Sequence, residues 1–223
     1  MKTTLFMLMS LDGKISTGKT DKRDVDKDFP KIKGVREGLK QYYDLERKTD
    51  LFSMNSGRVM FKIGINQKPV IDSKSVSFVI IDRNHLSKKG VSNLSKGVKK
   101  LYLVTSNRKH PAFGVDGVEV IYYSRKIDFV DLFRRLEKEY GIKKLTVQTG
   151  GTLNAILIRE GLIDRISLVV APCIVGGKET STLVDGESIA SETDLKLIKS
   201  LKLVDVKKLK NSYLNLIYEV RDD

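Results

Sequence analysis

The sequence contains no tryptophan, one cysteine and only two histidines in 223 residues. Cys173, the single cysteine, cannot form a disulfide within the chain, and no other cysteine or histidine lies near it at the spacing of metal ligands. His85 and His110 lie in polar segments without a ligand pattern. The sequence therefore predicts neither an internal disulfide nor a metal site.

Long apolar runs are also missing. No segment approaches the ~20 consecutive apolar residues that span a bilayer. The apolar start, residues 1–9, is short and has no small-residue cleavage site after it, so we interpret it as a strand. With 40% hydrophobic and 31% charged residues, the chain can bury a core and keep a polar surface. We expect a cytoplasmic protein without a membrane partner, and a single domain over residues 1–223.

Positive charge is in excess, with 41 Lys and Arg against 28 Asp and Glu and a net charge of +13. The basic residues are spread along the chain and mostly flank strands, where lysines protect sheet edges. Nucleic-acid readers concentrate their charge on one helix or stripe, often with aromatic residues between. We therefore expect no nucleic-acid partner, and interpret the charge as a solvated surface or as an attraction for phosphorylated ligands.

Strand-like and helix-like segments alternate along the chain. The predicted strands are Thr4–Met9, Asp50–Met54, Val76–Ile81, Leu101–Thr105, Gly117–Tyr123, 144–148 and 165–170. The predicted helical segments are Ile32–Lys48, Gly57–Ile63, a helix around Phe129–Leu136 and 152–159. Leu195–Leu209 and Tyr213–Val220 flank Asn211-Ser212, which predicts an antiparallel hairpin. The order predicts an α/β fold whose mixed, mostly parallel sheet is flanked by helices and closed by that C-terminal hairpin.

A double glycine lies between a predicted strand and a predicted helix. The strand Lys144–Gln148 is followed by Thr149-Gly150-Gly151-Thr152 and then by an apolar, helix-like run. Such a turn exposes backbone amides at a helix N-terminus, where the helix dipole favours an anion. A second double glycine, Gly176-Gly177, follows another strand. The two turns suggest a nucleotide pocket, and the alternative is that both are loop glycines with positive φ.

These motifs carry a resemblance to a known family. The segments around Gly150–Asn154, Glu160–Asp164 and Ala171–Glu179 closely resemble the reductase of riboflavin biosynthesis, and Met9–Ile15 is similar to the first motif of that family. The resemblance implies a dihydrofolate-reductase-like fold, NADPH as hydride donor and a homodimer. It also implies a phosphorylated heterocycle as substrate, a ribosylaminopyrimidine 5′-phosphate whose ribosyl group is reduced.

The resemblance also assigns candidate roles to residues. Asp12 and Lys14 belong to the motif that borders the nicotinamide and faces the substrate, so they are the catalytic candidates. The alternative is a turn in which Asp12 caps the loop and Lys14 is solvated. The substrate candidates are Ser10, Lys14 and Gln148. Arg58 offers a planar fork for phosphate in a Gly-Arg turn, with a structural salt bridge as its alternative role. The cofactor candidates are Asn55, Gly57, Arg58, Asp82, Arg83, Gly150, Gly151, Thr152, Leu153, Gly176 and Gly177. The segment Ser106-Asn107-Arg108, at the end of the next strand, is a weaker candidate.

The sequence departs from the family pattern on the substrate side. Gln148 stands where the family has a glutamate, Thr149 replaces the first glycine of its motif, and Glu46 falls where the family has an arginine. Three hypotheses remain open. The first is an NADPH-dependent reductase of the riboflavin precursor or a related heterocycle. The second is a divergent dihydrofolate-reductase-like enzyme that reduces another carbonyl, imine or pterin. The third is a non-enzymatic module that binds a nucleotide or nucleic acid.

Overall fold

A computed structural model describes residues 1–221. The contacts divide the chain into two compact units. The mid-chain unit consists of Met1 and Asp50–Thr149, and the terminal unit consists of Lys2–Thr49 together with the residues from Gly150 onward. Each unit has its own strands, helices and core.

The mid-chain unit is built on parallel strands. The elements are β2 (Phe52–Ser56), α3 (Gly57–Lys62), β3 (Ser77–Ile81), α4 (Lys88–Gly97), β4 (Leu101–Thr105), a 3-10 turn (Pro111–Gly114), β5 (Val118–Tyr122), α5 (Phe129–Lys138) and β6 (Lys144–Val147). The strand order is β5-β4-β3-β2-β6, and every neighbouring pair is parallel. All of β4 is buried, as expected of a parallel strand covered on both faces.

Helix α4 was not among the predicted elements. It contains two glycines, and its apolar residues Val91 and Leu94 are too few to give a strong helical period. Ser87 caps its start by accepting a hydrogen bond from the amide of Gly90. A Cβ at Gly90 would overlap the side chain of Asn66, so the glycine that obscures the pattern is required by the packing.

The terminal unit combines one parallel pair with an antiparallel hairpin. The elements are β1 (Lys2–Ser10), α1 (Val25–Asp28), a 3-10 turn (Phe29–Lys31), α2 (Lys40–Glu46), α6 (Gly151–Arg159), β7 (Arg165–Ala171), a 3-10 helix (Glu192–Leu197), β8 (Leu201–Lys208) and β9 (Leu214–Val220). The strand order is β1-β7-β9-β8, with β1 and β7 parallel and the other two pairs antiparallel. The strands of the two units confirm the predicted fold class.

Two predicted boundaries differ from the structure by more than two residues. The helix predicted over Ile32–Lys48 is a series of turns that becomes α2 only at Lys40, because Gly34 has a left-handed backbone with φ of 88° and breaks the regular helix. The strand predicted from Leu195 begins at Leu201, since a 3-10 helix with a Ser191–Asp194 capping box occupies the preceding residues. The hairpin turn itself lies at Asn211 and Ser212, both with positive φ.

Strand β8 lies at an edge and leaves apolar side chains in solvent. All but one of its eight residues are exposed, among them Leu201, Leu203, Val204 and Val206. Within residues 1–221, no helix combines the length and the apolar character needed to cross a bilayer.

Candidate functional site

An open cleft of about 620 Å³ lies in the mid-chain unit, at the carboxyl ends of β2, β3, β4 and β5. Parallel α/β sheets bind their ligands at this end of the strands. Its apolar lining is Ile81, Ile127 and Phe129. Its basic lining is Arg58, Arg83, His85, Arg125 and Lys126. An apolar wall beside a group of cations suits a ligand that carries both a flat ring and a phosphate.

Three of the cleft cations have no acidic partner among the residues that the structure describes. Arg83, Arg125 and Lys126 are exposed, and within residues 1–221 none of their charged groups forms a salt bridge or a side-chain hydrogen bond. The cleft lining holds one carboxylate, Asp82, against these three cations, and such an excess of like charges raises the local positive potential. The cleft is therefore prepared for an anion before any ligand enters.

Asp82 organises the floor of this cleft. Its side chain is 0% exposed, and one carboxylate oxygen accepts from the backbone amide and Nδ1 of His85, at 3.0 and 2.9 Å. The other oxygen lies 2.9 Å from the amide of Leu86 and 3.0 Å from Nε2 of His110. Burial alone would raise the pKa of Asp82, but these hydrogen bonds, above all the one with His110, outweigh it and lower the pKa to about 2. Asp82 is thus a carboxylate that fixes two loops.

The Gly-Arg turn brings Arg58 to the cleft. Ser56 caps α3 by accepting from the amide of Val59 at 3.3 Å, and Arg58 is exposed in the first turn of that helix. Gly57 is buried against Asp82, whose carboxyl group fills the space that a Cβ would need. Asn55 is also buried, and its side-chain oxygen accepts from the amide of Ser56 at 2.9 Å. Gly57 and Asn55 therefore shape the turn, while Arg58 and Arg83 face the ligand space.

Gln148 lies at the end of β6 in the same unit. The side-chain oxygen of Gln148 accepts a hydrogen bond from the Ser53 hydroxyl at 3.1 Å, and its backbone amide donates one to the carbonyl of Met54 at 2.9 Å. It does not line the 620 Å³ cleft. The mid-chain unit therefore brings Arg58, Asp82 and Arg83 together and holds Gln148 apart from them.

In the terminal unit, Asp12 ties the end of β1 to the glycine turn. Its carboxylate accepts from the Ser10 hydroxyl at 2.5 Å and from the amides of Val175 and Gly176 at 3.0 and 2.7 Å. The hydrogen bond from Ser10 and the two amide bonds outweigh desolvation and lower the pKa of Asp12 to about 2. Asp12 is thus a carboxylate anchor, not a proton donor at neutral pH.

Lys14 is fixed to the same segment. Its Nζ donates to the carbonyl of Gly177 at 2.9 Å and to that of Thr180 at 3.0 Å. An ammonium group has three hydrogens, so one remains for another acceptor. The terminal unit therefore gathers Ser10, Asp12, Lys14 and the Gly176-Gly177 turn into one hydrogen-bonded group.

The first double glycine forms the start of α6, as the sequence predicted. The amides of Gly151 and Thr152 have no acceptor within residues 1–221, so they remain available to an anion. A Cβ at Gly150 would meet nothing, whereas one at Gly151 would overlap the carbonyl of Thr182 and the carboxyl of Asp185. Thr152 is exposed and Leu153 half-buried. The surface at Gly150 is therefore open, whereas packing against residues 182–185 requires a glycine at position 151.

The second double glycine, Gly176-Gly177, has positive φ at both residues, as the alternative interpretation of a loop turn predicted. Gly176 and Gly177 have φ of 70° and 85°. The Thr180 hydroxyl fills the space of a Cβ at Gly177, while the corresponding space at Gly176 is open. Positive φ explains both glycines without a ligand, and the open face of Gly176 remains accessible beside Asp12.

Sequence reasoning missed several residues of the cleft. His85, Ser124, Arg125 and Lys126 line it and were not among the candidates. Ser124, Arg125 and Lys126 follow β5 as Arg83 follows β3, so the rule that ligands bind at the carboxyl ends of parallel strands would have found them. Within residues 1–221, no group of three or more histidine, cysteine or acidic side chains is arranged to hold a metal ion.

Comparison with known proteins identifies the family. The family model for the RibD C-terminal domain matches residues 1–214. A protein of Methanothermobacter thermautotrophicus named 2,5-diamino-6-ribosylamino-4(3H)-pyrimidinone 5′-phosphate reductase is 40% identical over 75 residues, which cover 34% of each chain. The alignments thus span about a third of the length of such curated relatives.

Solved structures share the fold over nearly the whole chain. A RibD structure from Acinetobacter baumannii has a TM-score of 0.68 at 21% identity, covering 99% of this chain and 58% of its own. A pyrimidine reductase-like protein from Corynebacterium diphtheriae also has a TM-score of 0.68, at 16% identity, covering 100% of this chain and 92% of its own. At these identities the likeness is one of fold. Together with the family match, it shows that this chain belongs to the RibD C-terminal domain family.

Proposed function

We propose that this protein is an NADPH-dependent reductase that converts the ribosyl group of a ribosylaminopyrimidine 5′-phosphate to a ribityl group. Membership of the RibD C-terminal domain family supports the reaction class. The relatives aligned over a third of the chain are named for that reduction. The observation that carries the choice of cofactor is the set of Arg83, Arg125 and Lys126 at the strand ends of the mid-chain unit, whose charged groups have no partner in the described part of the chain.

The cofactor's adenosine end is assigned to the cleft. The 2′-phosphate distinguishes NADPH from NADH, and guanidinium groups bind phosphate through paired, charge-assisted hydrogen bonds. Arg58 and Arg83, with Arg125 and Lys126, supply that charge. Ile81, Ile127 and Phe129 supply the apolar surface for the adenine. Asp82 and Gly57 act here as positioning residues, since Asp82 orders the loops and Gly57 leaves room for it.

The start of α6 is assigned to a phosphate group of the cofactor. The free amides of Gly151 and Thr152 point to an anion site that the helix dipole favours. Gly150 has no side chain over this surface, and Leu153 lies in the next position of the helix. Asn55, Gly176 and Gly177 keep their proposed places around the cofactor as residues that shape its turns.

Lys14 is proposed as the residue that acts on the substrate. Bound NADPH supplies a hydride to C1 of the ribosyl group. As the C1–oxygen bond of the sugar ring breaks, the ring oxygen must gain a proton. The third hydrogen of Lys14 Nζ can stabilise or protonate that oxygen, because the other two are held by the carbonyls of Gly177 and Thr180. Asp12 and Ser10 hold the segment to which Lys14 is bound, and Gln148 remains a proposed substrate contact.

A divergent reductase of another substrate is the second candidate, and one observation favours it. Gln148 is a neutral amide where the family has a glutamate, and its oxygen accepts from Ser53. An amide cannot supply the negative charge or the proton of a carboxyl group. The loss of that group favours a substrate other than the riboflavin precursor, and the two candidates share the same cofactor.

A second copy of this chain is the proposed partner. Strand β8 lies at a sheet edge and exposes Leu201, Leu203, Val204 and Val206. An exposed edge strand with apolar side chains is a template for pairing with another chain. Light scattering of the purified protein should give the mass of a dimer, and Val204→Lys should shift it towards the monomer. A monomer at micromolar concentration would remove the homodimer from the proposal.

The experiment that tests the function is an NADPH oxidation assay with two substrates. The riboflavin precursor 2,5-diamino-6-ribosylamino-4(3H)-pyrimidinone 5′-phosphate should be reduced, and dihydrofolate should not. Turnover of dihydrofolate alone would favour the second candidate. If the protein binds NADPH but oxidises it with neither of the two substrates, the result would contradict the proposed substrate class.

A further inference from the structure

The ring of His85 is held in one orientation at the wall of the cleft. Its backbone amide and its Nδ1 both lie against the same Asp82 oxygen, at 3.0 and 2.9 Å. An ionised carboxylate only accepts hydrogen bonds, so Nδ1 carries the hydrogen. The side chain of Asn66 fixes the residue further by donating to the His85 carbonyl at 2.9 Å.

The other ring nitrogen is available to a ligand. Within residues 1–221, Nε2 of His85 has no hydrogen-bond partner. The side chain is 40% exposed and lines the cleft beside Arg83 and Arg58. His110, the other histidine on Asp82, is fully buried behind the carboxylate and does not line the cleft.

The charges around His85 are of both signs. The carboxylate of Asp82 lies against Nδ1, and Arg58, Arg83, Arg125 and Lys126 line the same cleft. A bound phosphate would offset those cations and accept a hydrogen bond from Nε2 of a protonated ring. Arginine and lysine keep their charge across the neutral range, but histidine ordinarily changes its charge between pH 5 and 8.

We propose that His85 is a specificity-determining ligand that binds the cofactor's 2′-phosphate in its protonated form, so that selectivity for NADPH over NADH weakens as the pH rises. The proposal rests on the assignment of the 2′-phosphate to this cleft. In this proposal His85 takes up a proton when the phosphate binds and donates a hydrogen bond to it through Nε2, in addition to the fixed charge of the arginines.

The test uses two nucleotides that differ only in the 2′-phosphate. Adenosine 2′,5′-bisphosphate and adenosine 5′-monophosphate are titrated calorimetrically into the whole protein at pH 6.5 and 8.5, where the phosphate, with a second pKa of about 6, is mostly a dianion. The preference for the bisphosphate should fall about threefold to fivefold from the lower to the higher pH, the size expected of one partly exposed charge pair. Titration in two buffers of different ionisation enthalpy should show proton uptake.

The matched variant is His85→Asn. Its side-chain amide can still donate to Asp82 but has no group in place of Nε2, and its preference for the bisphosphate should be the same at both pH values. His85→Gln, which is also neutral, should behave alike, and thermal unfolding would verify that both variants are folded. Equal pH dependence in wild type and variants would overturn the role of His85 and leave the cofactor assignment intact. No preference for the bisphosphate at either pH would overturn both.

Discussion

The carboxyl group of Asp82 lies directly against the backbone of Gly57 and fills the space that a Cβ at residue 57 would occupy. The first residue of α3 and the residue after β3 are thereby packed together beneath the cleft. Since Asp82 also fixes His85, Leu86 and His110, the glycine preserves the support of two cleft loops.

Gly57→Ala should destabilise the protein by about 1–3 kcal/mol, the usual cost of forcing an extra methyl group into a packed site. The change in free energy of unfolding would be measured by urea denaturation. Gly150→Ala is the matched control, because its Cβ would meet nothing and its φ of −78° is an ordinary value. A loss for Gly57→Ala no larger than that of the control would contradict the close packing.

Gly151→Ala should also lose stability, because its Cβ would overlap the Thr182 carbonyl and the Asp185 carboxyl. From the sequence alone, a bulkier side chain here would be expected to affect only the cofactor site. The structure predicts that nucleotide affinity and thermal stability fall together. A variant with the stability of wild type and no nucleotide affinity would show that residues 182–185 adapt and that the ligand alone requires this glycine.

Lys14→Met should lower kcat by about a hundredfold or more if Lys14 stabilises or protonates the sugar oxygen, the range typical of general acid catalysis. The affinity for NADPH, measured by nucleotide fluorescence, should change little. Lys19→Met is a suitable control, since Lys19 is exposed in the same loop and its charge pairs with that of Glu179. A kcat within twofold of wild type would restrict Lys14 to its structural bonds with the carbonyls.

Acid should destabilise the protein through Asp82. Its pKa in the folded state is about 2, against an ordinary value of 3.8, so the unfolded chain takes up the proton first as the pH falls. The contribution of Asp82, about 2 kcal/mol, is present above pH 4 and is lost as the pH approaches 2. Urea denaturation from pH 7 to pH 2 would measure this loss.

Asp82→Asn should be less stable than wild type at pH 7 and should lose less stability between pH 4 and 2. Asp12 and Asp28 also have pKa values lowered to about 2, so the variant retains part of the acid dependence. An identical acid dependence in variant and wild type would mean that Asp82 is not the carboxylate responsible.

The fold could be predicted from local patterns because its strands and helices are largely local in origin. Buried strands such as β3 and β4 are short apolar runs, and the double glycine at Gly150 marks the start of α6. Helix α4 escaped because long-range packing, not its own composition, requires its glycines. The expectation of one reductase domain over residues 1–223 stays a prediction.

The cleft was predictable where a residue near a predicted strand end also belongs to a family motif. Arg58 and Arg83 were found in this way, whereas Arg125 and Lys126 follow β5, whose half-buried residues give a weaker signal, and belong to no motif that we assigned. The bond from Asp82 to His110 joins residues 28 positions apart, and that from Asp12 to the Gly176 amide joins residues 164 apart. Local sequence periodicity carries no information about such distant pairs, so the structural roles of these residues could be assigned only from the folded chain.

Arg83 offers the clearest test of the cofactor site, because within residues 1–221 its guanidinium has no partner whose loss would complicate the result. Arg83→Ala and Arg58→Ala would be compared with Arg134→Ala, which removes an exposed arginine that pairs with Asp131 outside the cleft. Loss of a charge-assisted phosphate contact typically costs a factor of about ten or more.

The decisive measurement is kcat/KM for NADPH and for NADH, with the riboflavin precursor as substrate, in wild type and Arg83→Ala. We expect wild type to prefer NADPH, and the variant to lose about tenfold with NADPH and little with NADH. An equal loss with both nucleotides, or a wild type that uses NADH as well as NADPH, would contradict the binding of the 2′-phosphate in this cleft.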